Sequence, residues 1–201
     1  MRNIKNILWQ TRNTFFPHKE MRHMTRYLKK NYKHDLIGVE IGVQYADNAL
    51  RMLYNLPIKK LYLVDPYSKY KNYDSSKDGK WVDVFEQGDF DKMYNTAKNK
   101  VKHYGDKVEF VVDLSENAAD KISDNLDFVY IDGNHKYEYV LKDLELYYPK
   151  VKKGGVIGGH DWHAGMDVWK AANDFIKKHN LDIDGRFDDW WIVKKEGEEK
   201  K

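Results

Sequence analysis

The chain has 201 residues, 41% of them hydrophobic, which suits one folded domain with an appendage and excludes a wholly disordered chain. It has no cysteine, so disulfides, thiolate metal sites, iron–sulfur ligation and a Cys nucleophile are excluded together. The net charge of +3 hides an asymmetry: residues 1–35 hold nine bases and two acids (9 − 2 = +7), and the remainder holds 26 bases and 30 acids (26 − 30 = −4).

No stretch approaches the 18 consecutive apolar residues of a transmembrane helix, and residues 1–16 lack the apolar region of a signal peptide. The absence of cysteine is compatible with a reducing compartment, and the expected location is cytoplasmic. Ile4, Ile7, Leu8 and Trp9 share one helical face; beyond Pro17, Met21, Met24, Tyr27, Leu28 and Tyr32 repeat the spacing. Residues 1–35 therefore read as two helices capping the body, or as a basic amphipathic arm that meets an anionic substrate or a membrane surface.

From Leu36 the pattern changes. Leu36-Ile37-Gly38-Val39-Glu40-Ile41 is a short apolar run, followed by a turn and by helical spacing at Ala49, Leu50, Leu53 and Tyr54 that Pro57 stops. Leu61-Tyr62-Leu63-Val64 is a second run, closed by Asp65-Pro66. Residues 66–88 are polar and aromatic without a clear period, as expected of an active-site loop or lid. Asp89 is the expected cap of a helix that carries Phe90, Met93, Tyr94, Ala97, Val101 and Tyr104, with Gly105 just past its end.

Val108-Glu109-Phe110-Val111-Val112 reads as a strand, Ser115 opens a short helix through Ile122, and Leu126-Asp127-Phe128-Val129-Tyr130-Ile131 reads as another strand. A helix over 137–148 and a strand at Val156-Ile157-Gly158 follow, then a helix over 168–178. A hairpin turning near Asp184-Gly185 ends in the strand Trp190-Trp191-Ile192-Val193. Strands alternating with helices predict βαβ units: an α/β, Rossmann-like, mostly parallel sheet of seven strands with an antiparallel C-terminal hairpin and helices on both faces. The expected organisation is an N-terminal arm or cap (1–35), a main domain (36–195) that contains the 66–88 loop, and a charged tail (196–201).

Ligands of open α/β sheets bind at the carboxyl ends of the strands. There the sequence places Glu40-Ile41-Gly42, Asp65, Asp113, Asp132 with His135, and His160, Asp161 and His163. Every strand ends in an acid, which turn chemistry alone does not require. Gly42 lets the backbone approach a ligand closely, although the segment is not G-x-G-x-x-G. Asp65 stands where an acid can bind the two hydroxyls of a ribose. In the loop, Tyr67, Tyr70, Tyr73 and Trp81 are candidates for acceptor contact, whereas Trp162, Trp169, Trp190 and Trp191 suit packing. Asp143 falls near the apolar side of its helix and has no assigned role.

This series resembles a class I S-adenosylmethionine-dependent methyltransferase: Glu40-x-Gly42 with small Ala46, Asp65, Asp113, the strand ending in Asp132, and Gly154-Gly155 entering the fifth strand. The stretches Asp127-Phe128-Val129-Tyr130-Ile131-Asp132-Gly133-Asn134-His135 and Gly154-Gly155-Val156-Ile157-Gly158-Gly159-His160-Asp161 are similar to a subfamily found in glycan and natural-product biosynthesis. Their layout is also similar to the metal-dependent catechol-type O-methyltransferases. The resemblance spans roughly residues 36–193, and Ala46 stands where the family usually has Gly.

The resemblance implies S-adenosylmethionine as cofactor. Glu40 and Gly42 would hold its amino-acid end, Asp65 its ribose, and Asp113, Leu114 and Ser115 its adenine, with Asp132 nearby. It also implies a divalent ion, Mg²⁺ or Mn²⁺, held by Asp132, His160 and Asp161, with His135 as general base. The acceptor would be a hydroxyl of a small molecule or glycan; nucleic acid is not expected. A contrasting reading is a non-catalytic cofactor-binding module or partner subunit that docks on an anionic surface, including a membrane, through residues 1–35.

Overall fold

A computed structural model of the chain describes residues 20–69 and 83–195. The residues Ile4, Ile7, Leu8 and Trp9, the loop aromatics Tyr70, Tyr73 and Trp81, and the tail from 196 lie outside the described residues.

The elements in chain order are α1 (His23–Asn31), β1 (Leu36–Ile41), α2 (Asp47–Asn55), β2 (Ile58–Val64), α3 (Gln87–Val101), β3 (Val108–Val111), α4 (Ser115–Ala118), β4 (Leu126–Ile131), α5 (Tyr137–Tyr147), β5 (Val151–Gly159), α6 (Asp167–His179), β6 (Asp184–Arg186) and β7 (Asp189–Val193). Short 3₁₀ turns follow α3, α4 and α5. The seven strands form one sheet, as the sequence predicts, and their order is β3-β2-β1-β4-β5-β7-β6. The first five run parallel; β7 lies antiparallel to β5, and β6 antiparallel to β7. The chain leaves β1 toward one edge and returns to β4 on the other side of it, which opens a crevice at the carboxyl ends of β1 and β4.

Alternation along the strands explains the three layers. In β4 every residue is buried. Val129 and Ile131 join the cluster under α4, α5 and α6, whereas Phe128 and Tyr130 join the cluster under α1, α2 and α3. A strand covered on both faces reads as a continuous apolar run. Helix α1 packs on α2 and β7, with Met24 and Leu28 buried in the same cluster as the sheet residues. Its Tyr27 ring lies 5.2 Å from Trp191, and His23 stacks on Phe187 at 4.9 Å.

Three local expectations differ from the structure. Helix α3 begins at Gln87 and is capped by Glu86; Asp89 is its third residue, and the backbone N–H of Glu86 donates to Asp89 Oδ2 at 3.1 Å in a reciprocal capping box. Tyr54 is 49% exposed, and α2 turns Met52 and Asn48 inward instead. Asp184-Gly185 lies within β6, and the chain reverses after it at Phe187, whose φ is +57°. The ring of Trp162 occupies the space a side chain at 185 would need, so Gly185 serves close packing there and not the turn.

Candidate active site

The carboxyl ends of β1 and β2 are tied together mainly through the backbone. Gly42 has φ +84°, and a Cβ on it would lie 2.2 Å from the carbonyl oxygen of Asp132. Only glycine fits this close approach of the β1 turn to the end of β4. Asp65 holds the same turn from the other side. Its Oδ2 accepts the N–H groups of Val43 and Gln44, each at 2.9 Å, and its Oδ1 accepts that of Tyr67 at 2.9 Å. Gln44 and Ala46 both take left-handed backbone angles (φ +51° and +57°), so the turn coils tightly without a second glycine. Tyr67 does not face an acceptor space: it is buried, packs 4.9 Å from the Tyr94 ring and donates its hydroxyl to the Gln44 carbonyl at 3.0 Å.

Glu40 points from β1 into this corner and is 1% exposed. Burial pushes its carboxyl up to about 8, although Asn48 donates to its Oε1 at 2.9 Å. Among the described residues, two buried acceptors in the corner have no partner, Glu40 Oε2 and Asn48 Oδ1. Unsatisfied buried acceptors are costly, and a cationic donor such as an ammonium group would satisfy both.

After β3, the segment Asp113-Leu114-Ser115 is shaped by its own contacts. Asp113 Oδ1 accepts the Leu114 N–H and Asn117 Nδ2, and its Oδ2 pairs with Lys121 Nζ at 2.6 Å. The Lys121 and Asn117 hydrogen bonds hold this carboxyl below its usual range. Ser115 does not project outward: its hydroxyl donates to Asp143 Oδ1 at 2.5 Å, and its carbonyl accepts the Tyr147 hydroxyl at 2.8 Å. Asp143 is 3% exposed, and burial pushes it up to about 7. Helix α5 thus anchors the turn that carries Leu114 and Ser115.

The ends of β4 and β5 carry a denser group of charges. Gly159 lets β5 approach β4 so closely that a Cβ there would lie 2.0 Å from the Ile131 carbonyl. This sets His160 and Asp161 beside Asp132. Asp161 takes a left-handed angle, φ +58°, a conformation that few residues other than Gly, Asn and Asp adopt. Its Oδ2 lies 3.3 Å from His135 Nε2 and 3.3 Å from His160 Nδ1, and its Oδ1 lies 3.7 Å from His163 Nε2. These imidazoles, His160 first, hold the Asp161 carboxyl down to about 2. Asp132 Oδ1 faces His135 Nε2 at 3.6 Å and His160 Nδ1 at 4.0 Å. The hydrogen bond to Asp132 raises the basicity of His135 against the opposing effect of burial.

Among the described residues, Asp132, His135 and Asp161 each offer one ligand atom, and these atoms lie within 4.8 Å of one another. The sequence places His160 in the ligand set and His135 outside it as a base; the geometry brings both imidazoles to the two carboxylates. The sequence did not single out Arg22. Its Nη1 donates to Asp132 Oδ2 at 2.6 Å and to the Tyr130 hydroxyl at 2.8 Å. Tyr130 donates onward to Asp189 Oδ1 at 2.9 Å, and Asp189 Oδ2 accepts the Met24 N–H at 2.9 Å.

A sequence profile for a methyltransferase domain matches residues 37–162, from β1 to the turn after β5. The chain belongs to this methyltransferase family. The matched span holds more than half of the chain and every residue that the resemblance assigned to cofactor or metal. The sheet order is that of class I S-adenosylmethionine-dependent methyltransferases.

Uncharacterized protein R132 of Acanthamoeba polyphaga mimivirus is 30% identical over 152 residues, covering 72% of this chain and 61% of the relative. The chain therefore spans about three fifths of that relative's length. The O-methyltransferase NovP superposes with a TM-score of 0.62 at 16% identity, over 85% of this chain and 76% of its own. A Streptococcus mutans protein solved in complex with SAH gives 0.60 at 11% identity, over 85% and 95%. At these identities the structural likeness establishes the fold. Among the described residues, no helix is long and apolar enough to cross a membrane.

Proposed function

We propose that this chain is an S-adenosylmethionine-dependent O-methyltransferase that acts on a hydroxyl of a small molecule or a sugar, with a divalent metal ion held between Asp132 and Asp161. One observation carries the reading: the converging ligand atoms of Asp132, His135 and Asp161 stand directly beside the Gly42 turn, which touches the Asp132 backbone. A cofactor cradle and a cluster fit for activating an acceptor are thus neighbours.

The residues fit both groups. Gly42 lets the β1 turn close onto the end of β4, and the orphan acceptors of Glu40 and Asn48 suit the ammonium of the cofactor's amino-acid end. Asp65 fixes the turn, and the segment 113–115 is the one that the resemblance assigns to the adenine. Two carboxylates and an imidazole form an oxygen–nitrogen donor set that suits Mn²⁺ or Fe²⁺ and tolerates Mg²⁺. When bound, the cofactor supplies an electrophilic methyl on a sulfonium, and the ion supplies positive charge that acidifies an acceptor hydroxyl.

The side chains do the rest. Arg22 occupies Asp132 Oδ2, which leaves Oδ1 for the ion. His135 Nε2, close to both carboxylates, completes the donor set. His160 keeps Nδ1 toward Asp161, so its Nε2 is the nitrogen left to take the acceptor's proton. The two histidines thus exchange the roles that the resemblance gave them.

Calorimetric titration with S-adenosylmethionine tests the cofactor reading: saturable binding is expected, and none at millimolar cofactor contradicts it. A Mn²⁺-induced rise in melting temperature tests the ion. It should vanish in Asp161→Ala and His135→Ala and survive in His160→Ala. A rise that persists in Asp161→Ala contradicts the ligand set.

A further inference from the structure

The cofactor end of the site is rich in carboxyl groups. Glu40, Asp65 and Asp132 are acids, yet the amino-acid end of S-adenosylmethionine carries a carboxylate as well as an ammonium. A carboxylate placed beside these groups needs a cation, or it is repelled by them. Among the described residues, Arg22 is the only Lys or Arg paired with Asp132, and none is paired with Glu40, Asp65 or Asp161.

Arg22 is held in place by a chain of contacts. Its Nη1 serves Tyr130 and Asp132 together, its guanidinium carbon lies 5.4 Å from the Tyr130 ring centre, and Asp189 locks Tyr130 to the start of α1. Both hydrogens of Nη1 are thereby used. No described residue accepts from Nε or Nη2, and neither is a fully buried orphan atom. A guanidinium has five donors in a rigid fork that matches a carboxylate. Three of them remain, on a guanidinium that pairs with Asp132, whose backbone abuts Gly42.

We infer that Arg22 is a cofactor-binding residue whose free guanidinium edge takes the carboxylate of S-adenosylmethionine. The inference rests on the proposed cofactor site. It makes the residue that caps α1, ahead of the matched methyltransferase segment, part of the cofactor pocket. The pair with Asp132 is then one half of an arrangement in which Arg22 grips a fixed carboxylate with one nitrogen and the ligand's carboxylate with the others.

The experiment uses two probes that share the adenosine and sulfur: S-adenosylhomocysteine, which has the amino-acid end, and methylthioadenosine, which lacks it. Their Kd values are measured by calorimetry on the full chain and on Arg22→Ala and Arg22→Lys. Arg22→Ala should weaken S-adenosylhomocysteine about tenfold or more, the scale of a charge-assisted hydrogen bond. It should leave methylthioadenosine within about twofold, and Arg22→Lys should fall between. Retained methylthioadenosine binding also reports that the variant is folded. Equal losses for both probes, or no loss for either, overturn the assignment. Wild-type chain that binds neither probe overturns the cofactor site itself, and with it the inference.

Discussion

The two halves of the site are built in different ways. At the ends of β1 and β2, geometry is set by backbone: Asp65 accepts three N–H groups, Gly42 sits against the Asp132 carbonyl, and Glu40 is buried with a raised carboxyl. At the ends of β4 and β5, geometry is set by side-chain charges, half exposed, with Asp161 in a left-handed conformation amid three imidazoles. The first half is fixed by hydrogen bonds and close packing within the protein itself. The second gathers two carboxylates among imidazoles, a donor set that the proposed ion would draw together.

Substitutions that break the backbone-built half should have the largest effects. Gly42→Ala places a methyl 2.2 Å from the Asp132 carbonyl at a φ of +84°. Strain and overpacking should cost about 2 kcal/mol or more and abolish cofactor binding, read by thermal denaturation and calorimetry. Asp132→Asn should abolish the Mn²⁺-induced thermal shift and leave S-adenosylhomocysteine within about tenfold of wild type, because a single charge-assisted contact is at stake. An equal collapse of both would show that the halves are one unit.

Glu40 sharpens the contrast through pH. Its carboxyl is raised to about 8, so at neutral pH it is mostly protonated without ligand. A bound ammonium favours the ionised form, so binding releases a proton. Affinity for S-adenosylhomocysteine should therefore rise between pH 6 and 8 and level off above. Glu40→Gln should flatten the profile.

The smallest effect concerns stability. Burial raises Asp143 to about 7 in the fold, above its ordinary 3.8. A carboxyl raised by folding binds more protons folded than unfolded, so its contribution is full below about pH 4 and is lost as pH rises through about 7. The slope is at most about 1.4 kcal/mol per pH unit. Asp143→Asn should remove that slope in denaturant melts at pH 4.5 to 7.5.

The contrast also explains what could be read from the sequence. Gly42, Asp65 and Asp132 each follow an apolar run directly, Glu40 lies inside one and Asp161 stands three residues past one, a pattern that is local in the chain. The strand alternation that gave the sheet is local too. Arg22 was visible only as one of nine bases, because its partner Asp132 is 110 positions away. Asp143 carried no signal because Ser115, which occupies it, lies 28 positions back on another element. The Asp184-Gly185 pair carried a misleading signal: it looks like a hairpin turn, but the glycine is there to admit Trp162.

A crystal structure with S-adenosylhomocysteine and Mn²⁺ tests the central claim most directly. The account predicts the amino-acid end beside Glu40 and Gly42, and an anomalous peak at coordinating distance from Asp132, His135 and Asp161. Cofactor bound elsewhere, or no anomalous peak between Asp132 and Asp161 at saturating Mn²⁺, would contradict it.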